Sequence, residues 1–326
     1  MIRAIQTSGP GGVEVLKSVS IELGAPDSGE VLLRQTAIGV NLIDVYHRTA
    51  TQGQYAIEHP AVLGVEAAGV IEEIGPDVSD FAIGDRVAYC MVRGAYAQKR
   101  LISASQLIRL PEFVSDQQAA ACMVKGITAN YLLHRIHAVS HGETVLVHAA
   151  AGGVGQILCQ WARHLGATVI GTVGSPAKIP AAQAAGCDHV LLHNQGDFAA
   201  EVRALTSGRG VDVVYDSIGK DTFEGSLDCL RPLGMMVCYG QASGAVPPLD
   251  ISLLAAKGSV FLAKPTLATF VRDPDELRAL ADGVFQAVKA GAIRIDIGHR
   301  ASLDDVAAVH TALESRKLAG ATVLTP

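Results

Sequence analysis

Gly152, Gly153 and Gly155 fall between a short β-branched apolar run, Val145 to Val147, and the helically spaced apolar residues Ile157, Leu158, Trp161, Ala162 and Leu165. A helix that starts just after a glycine turn points unpaired N–H groups at whatever sits there, and its dipole favours negative charge. The chemistry is anion binding. Gly152 lets a pyrophosphate approach the backbone, and Gly155 lets the helix lie close to the strand. The dinucleotide fingerprint is Gly-x-Gly-x-x-Gly. Here the window is Ala150-Ala151-Gly152-Gly153-Val154-Gly155, so the first glycine is missing and the turn at Ala150 must use ordinary negative φ.

The apolar run after this helix, Ala167 to Val173, reads as a second buried strand, and the residues at its end select the dinucleotide. A site for NAD ends that strand with an acidic residue for the ribose 2′-OH. The stretch 168–174 has neither Asp nor Glu; the chain offers Gly174, Ser175 and Lys178 instead. A hydroxyl and a cation suit the 2′-phosphate of NADPH. Ser175 also reads as an N-cap with Pro176 at N1 and Lys178 as a solvated side chain; both readings can hold together. Pro180 removes an N–H about one turn in, so the helix there starts late or irregularly.

A second group of polar residues lies near the N-terminus. In Asn41-Leu42-Ile43-Asp44-Val45-Tyr46-His47-Arg48, a helical turn puts Asn41, Asp44 and Arg48 on one side. Asn41 and Tyr46 are candidate donors to a substrate oxygen, with Arg48 a third. The bland alternatives are that Asn41 caps local backbone and Asp44 pairs with Arg48. The segment 49–60 has no apolar period and reads as an exposed loop.

These groups need elements to hold them. The stretch 144–173 is a βαβ unit, closed at its helix end by Gly166. Further apolar strands at 211–215 and 235–239 end in the loops 216–219 and 240–244, candidate walls for the nicotinamide half of the site. A last strand, 260–263, is expected at a sheet edge, which invites a second subunit. Up to about residue 120, short runs at 31–34, 38–40, 69–75 and 85–89 predict a folded-over antiparallel barrel. A helix is expected near 119–135. The tail holds amphipathic helices near 275–290 and 304–315, and a strand at 321–324 expected to return to the first domain.

Length and composition narrow the class. At 326 residues, two domains are expected. The net charge of −6, with no basic run, argues against nucleic acid as a partner. No apolar run approaches a membrane span, and Met1 to Ile5 opens as a strand without a signal pattern. The six cysteines are scattered and form no C-x-x-C pair, so the expectation is a cytoplasmic chain without disulfides or structural zinc.

The ordered set Gly39-Val40-Asn41-Leu42-Ile43-Asp44-Val45-Tyr46, Gly64-Val65-Glu66-Ala67-Ala68-Gly69, Lys125-Gly126-Ile127-Thr128, Ala149 to Gly155 and Tyr215-Asp216-Ser217-Ile218-Gly219 resembles the zinc-independent quinone oxidoreductases. These belong to the medium-chain dehydrogenase/reductase superfamily and include zeta-crystallin. The resemblance implies an α/β chain: a GroES-like β-rich catalytic domain over 1–124 and 266–326, and a Rossmann doubly wound parallel-sheet domain over 125–265. It further implies NADPH and a homodimer. Zinc members place Cys and His where this chain has Asn41 and Val65, and the eleven histidines are spread singly, so no metal is expected. By the same resemblance Leu42, Asp44, Tyr46, Thr128, Tyr131, Gly152, Gly153, Val154, Gly174, Ser175, Lys178, His193, Ser217, Ile218, Gly240, Lys264 and Arg316 lie around NADPH. His193 stands where the family often has Tyr, and reads equally as an ordinary surface histidine. The loop 49–55 is about two residues longer than the bacterial pattern.

The expected reaction is hydride transfer from NADPH to a quinone, with Asn41, Tyr46 and Arg48 as the substrate-facing candidates. A near alternative is a 2-alkenal or enone reductase using the same hydride. A rival of another class is a non-catalytic NADPH-binding protein, a sensor or crystallin-like relative.

Overall fold

The computed structural model describes residues 1–326. The chain forms two compact units, one of Met1–Ile127, Phe270–Lys289 and Ile295–Pro326, the other of Thr128–Thr269 and Ala290–Arg294.

The first unit is built on a seven-stranded sheet in the order Ile297–Ser302, Ala321–Thr325, Glu30–Val40, Glu66–Ile74, Arg86–Cys90, Ile108–Arg109, with Lys99–Ser103 also paired to Glu30–Val40. The final strand does return here, antiparallel to Glu30–Val40. Within residues 1–120 every strand pair is antiparallel, as expected. In the tail, Ile297–Ser302 and Ala321–Thr325 run parallel. The helix Val306–Glu314 lies between them in the chain and is the crossover that a parallel pair requires. One expectation needs correcting: the runs at 31–34 and 38–40 are not separate strands. They belong to one strand of eleven residues whose register shifts at Leu32/Leu33 and Gln35/Ala37. The bulge turns Gln35 inward, where its amide donates to Ala95 O and Ala97 O and its carbonyl accepts from Tyr89 Oη. A polar residue in the middle of the run hid that continuity. Leu33, Ile38, Leu63, Ile71, Tyr89, Tyr96 and Leu324 pack in the core beneath.

The second unit is a six-stranded parallel sheet. Its order is His189–Leu192, Thr168–Val173, Thr144–Val147, Val211–Asp216, Leu230–Cys238, Phe261–Ala263. Numbered along the chain this is 3-2-1-4-5-6, the doubly wound dinucleotide-binding order. Thr144–Val147 and Val211–Asp216 are parallel neighbours where the strand order reverses, so the crevice at their carboxyl ends is where such a sheet takes its ligand. Phe261–Ala263, the last strand of this unit, is at the edge as expected. The helix from Asp116 stays regular to Tyr131 and then widens into a π-helical turn, Leu132–Ile136. The six cysteines are free and buried.

Candidate active site

The glycine turn does what its spacing predicts, with one displacement. The helix runs Gly153–His164, and Gly152 at its N-cap has no side chain to close the first turn. Its N–H groups are therefore left for a ligand. Ala150 has negative φ as expected, but the residue before it, Ala149, is left-handed with φ 51°. The missing glycine thus costs about 1–2 kcal/mol one position earlier than the fingerprint suggests. A Cβ on Gly152 would meet Ala149 O at 3.1 Å and Ala149 Cβ at 4.0 Å, and no atom of another segment. At the far end Gly166, φ 89°, ends the helix.

At the ends of the neighbouring parallel strands, Gly174, Ser175, Lys178 and His193 come together. Val173 pairs with Leu192. A Cβ on Gly174 would lie 3.3 Å from His193 Cε1. Ser175 occupies the N-cap of the short turn Pro176–Lys178, but its side chain makes no capping bond. Its hydroxyl is therefore free of the role that the bland reading gave it. The α-helix proper starts late, at Ile179, with Pro180 in its first turn.

The loop residues Ser217, Ile218 and Gly240 also gather, with Lys264 beside them. Asp216 accepts from Ile218 N at 2.7 Å, Gly219 N at 3.0 Å, Thr222 Oγ1 at 2.7 Å and Ser226 Oγ at 3.1 Å, and so folds the loop that carries Ser217 and Ile218. A Cβ on Gly240 would strike Ser217 O at 2.6 Å. Lys264 Nζ lies 3.3 Å from Gly240 O. Beneath runs a chain that sequence reasoning missed: Ser226 to His148 at 2.8 Å, and His148 to Thr172 at 2.8 Å. Since Ser226 donates to Asp216, it accepts from His148 Nε2, which leaves Nδ1 to accept from Thr172. Burial holds the His148 pKa below its ordinary value, which keeps the ring neutral in that role. Thr128 and Tyr131 are buried on their helix.

In the first unit Asn41 N-caps the helix Leu42–Thr49. The Asp44 carboxylate returns to Asn41 N at 2.8 Å. Asn41 Nδ2 donates to Glu66 Oε2 at 2.8 Å, and Lys125 Nζ donates to Asn41 Oδ1 at 2.8 Å. Tyr46 stacks on Tyr55, centroids 4.9 Å apart and tilted by 46°. That contact places Tyr55 beside a candidate residue despite the longer loop.

Two assignments are corrected here. Arg48 does not pair with Asp44 and does not present its guanidinium outward. Its side chain is 1% exposed and bonds Glu314 at 2.6 Å, His310 Nδ1 at 3.2 Å and Gly11 O at 3.1 Å. Asp44 is wholly buried, and its Oδ2 is taken by Asn41 N and by Tyr96 Oη at 3.0 Å. Its carboxylate shapes the helix start and faces inward. Leu42 is half-buried on the same helix, and Arg316 sits at left-handed φ 57° just past the helix Val306–Glu314.

Sequence reasoning quoted Glu66 and Lys125 without giving them a role. The signal was there: a single charge inside an apolar run is buried only when paired. Tyr96 and His310 carried no such mark. Arg48 can only donate, so His310 Nδ1 accepts and Nε2 donates to Tyr96 at 2.9 Å, which in turn donates to Asp44.

Burial raises the Asp44 pKa to about 7. For a carboxyl raised in this way, the stability it contributes is complete below the unfolded value and disappears as pH rises from about 4 to about 7. Burial, with Arg48 adding to it, lowers His310 to about 3, so His310 acts oppositely, losing stability as pH falls below about 6.5. Asp44→Asn removes the first effect only. Measured by urea unfolding, it should be more destabilising at pH 5 than at pH 8, by roughly 2.6 kcal/mol. A pH-independent difference would refute the buried titration.

No group of three or more His, Cys, Asp or Glu side chains is placed to hold a metal ion. A mixed sheet unit of this kind joined to a 3-2-1-4-5-6 parallel sheet defines a medium-chain dehydrogenase/reductase. Family profiles agree, matching the alcohol dehydrogenase GroES-like domain over residues 27–112 and a zinc-binding dehydrogenase over 153–282. The chain is 45% identical to the 2-haloacrylate reductase of a Burkholderia species, covering 100% of this chain and 99% of that one. It is 42% identical to a quinone oxidoreductase of Pseudomonas aeruginosa, with 100% of each covered. The Escherichia coli quinone oxidoreductase complexed with NADPH superimposes with a TM-score of 0.95 at 38% identity, covering 99% of this chain and 100% of that one. The chain belongs to the quinone oxidoreductase family of the medium-chain dehydrogenases/reductases.

Proposed function

We propose that this chain is an NADPH-dependent reductase of quinones. The observation that carries the cofactor half is the group Gly174, Ser175 and Lys178 at the end of a strand without an acidic residue, beside an uncapped helix N-terminus. These residues fit a phosphorylated adenosine and its pyrophosphate. When bound, NADPH supplies a hydride from nicotinamide C4 to the acceptor. Gly152, Gly153 and Val154 receive the pyrophosphate, and the loops carrying Ser217, Ile218 and Gly240 wall the nicotinamide half. Asn41 and Tyr46 donate to the acceptor oxygen as it gains charge, and the Tyr46–Tyr55 pair gives a flat ring an aromatic surface. The catalytic role goes to 1–124 with 266–326, the cofactor role to 125–265.

The 2-haloacrylate reductase among the relatives favours a second reading, reduction of an activated alkene. The two separate on a substrate panel. With NADPH oxidation as readout, kcat/KM for naphthoquinones and phenanthrenequinone should exceed that for 2-alkenals and 2-haloacrylate by about tenfold or more. The reverse order would establish the alkene reading. Intact NADPH binding with no turnover of any of them would leave a binding protein.

The cofactor assignment has its own test. Lys178→Ala should weaken NADPH by about tenfold or more, one charge-assisted hydrogen bond, and leave NADH nearly unchanged. Trp161 fluorescence reads both affinities, and equal losses would refute the phosphate role. No helix is long and apolar enough to cross a membrane, and the small-molecule site and acidic charge favour a cytoplasmic enzyme that does not take nucleic acid. A homodimer is supported by the edge strand Phe261–Ala263, where Phe261 and Leu262 are 55% and 38% exposed.

A further inference from the structure

Lys125 and Glu66 are buried beside Asn41, yet neither has a part in the reaction described above. An ammonium carries only donors. Lys125 Nζ lies 2.8 Å from Asn41 Oδ1, 3.3 Å from Glu66 Oε2 and 3.4 Å from Val40 O. A carboxylate carries only acceptors. Glu66 Oε2 takes Asn41 Nδ2–H at 2.8 Å, and Oε1 takes Val124 N–H at 2.6 Å. An amide held between a donor-only and an acceptor-only neighbour has one allowed orientation. One N–H of Asn41 Nδ2 is then left uncommitted, on a residue that keeps 7% of its surface exposed.

We infer that Lys125, paired with Glu66, is a positioning residue that locks the Asn41 amide so that its free N–H, and never its carbonyl, meets the oxygen of the acceptor. The inference rests on the reading of Asn41 given above. The two amide orientations are nearly isosteric, but they are opposite in electrostatics. One offers a hydrogen to an oxygen gaining negative charge; the other offers a lone pair. The ammonium on Oδ1 also polarises the amide and makes Nδ2–H a stronger donor. A buried ion pair adds little net stability compared with apolar residues of similar volume, so the service it performs here is orientation. Glu66 is equally required, since it marks the nitrogen side of the amide.

A double-mutant cycle tests this, with NADPH oxidation by a naphthoquinone as the rate and Trp161 quenching as the cofactor affinity. Asn41→Ala should lower kcat about a hundredfold, as loss of one oxyanion donor does. Lys125→Met should lower kcat about tenfold or more while NADPH affinity stays within about twofold. The double variant Asn41→Ala/Lys125→Met should be no slower than Asn41→Ala alone, within about threefold, because Lys125 acts through Asn41. A merely structural role would give losses that multiply, and that result overturns the inference. So does a Lys125→Met enzyme with full kcat where Asn41→Ala has lost it. Full kcat in Asn41→Ala itself would instead overturn the underlying reading of Asn41. If Lys125→Met does not fold, Lys125→Met/Glu66→Gln removes both charges and sets an amide N–H against Asn41, which favours the inverted orientation. That variant should lose kcat at least tenfold; wild-type kcat in it also overturns the inference.

Discussion

Gly155→Ala should cost this protein both its NADPH affinity and a measurable part of its stability. An added Cβ would lie 2.2 Å from Ala149 O and 2.9 Å from Ala150 Cα, both backbone atoms. Neither can yield easily. Ala149 is already left-handed, its carbonyl accepts Gly152 N–H at 2.8 Å, and Ala150 N–H is fixed to Thr172 O at 2.9 Å. The helix must move off the strand instead, carrying with it the first-turn N–H groups proposed to hold the pyrophosphate. Overpacking of this kind costs about 1–3 kcal/mol, and the NADPH Kd should rise about a hundredfold, equivalent to ~2.7 kcal/mol. Gly152→Ala is the control. Its Cβ meets Ala149 O at 3.1 Å, tight but far looser than the 2.2 Å at Gly155, and the methyl group stands at the proposed pyrophosphate turn. It should lose about tenfold in affinity with a smaller loss of stability than Gly155→Ala. Thermal melts without cofactor and fluorescence titrations on both variants decide the matter. A Gly155→Ala protein that binds NADPH normally would place the dinucleotide somewhere other than this turn.

Much of the cofactor unit was legible because its chemistry is local. The glycines, the helix period from Ile157 to Leu165 and the absence of an acid after Val173 all lie within one stretch of chain. Hydrogen bonds that close over long separations were not legible. Asn41 and Glu66 are 25 residues apart, and Arg48 and His310 are 262 apart. Asn41, Asp44 and Arg48 were placed on one side of a helical turn, and the helix is there. What the spacing could not tell is where each side chain would find its partner. Asp44 turned to Asn41 N and Tyr96, and Arg48 turned to a helix near the end of the chain. The bulged strand Glu30–Val40 was divided in two for a related reason. Gln35 interrupts the apolar pattern, and only the carbonyls of Ala95 and Ala97 explain why a polar side chain belongs inside.

Arg48→Met should lower the free energy of unfolding by about 3 kcal/mol while kcat/KM per folded molecule stays within about tenfold of wild type. The guanidinium joins three segments: the loop at Gly11, its own helix and the helix Val306–Glu314. Hydrogen bonds to charged groups contribute about 1.5–3 kcal/mol each when buried, and the Glu314 side chain, 38% exposed, lies toward the weak end. Methionine fills most of the volume, so the loss reflects His310 Nδ1 and Gly11 O left without a donor. Arg48 is also the second cause, after burial, of the low pKa of His310. Without it the histidine moves back toward its ordinary value and loses less stability on acidification. The deficit of the variant should therefore be smaller at pH 5 than at pH 8. Urea unfolding at the two pH values and steady-state rates on the same preparations supply the comparison. A hundredfold fall in kcat/KM with unchanged stability would return Arg48 to the reacting atoms. Lost stability with a retained rate would fix it as the anchor for the relay through His310 and Tyr96 that ends on Asp44, which accepts from the backbone N–H of Asn41.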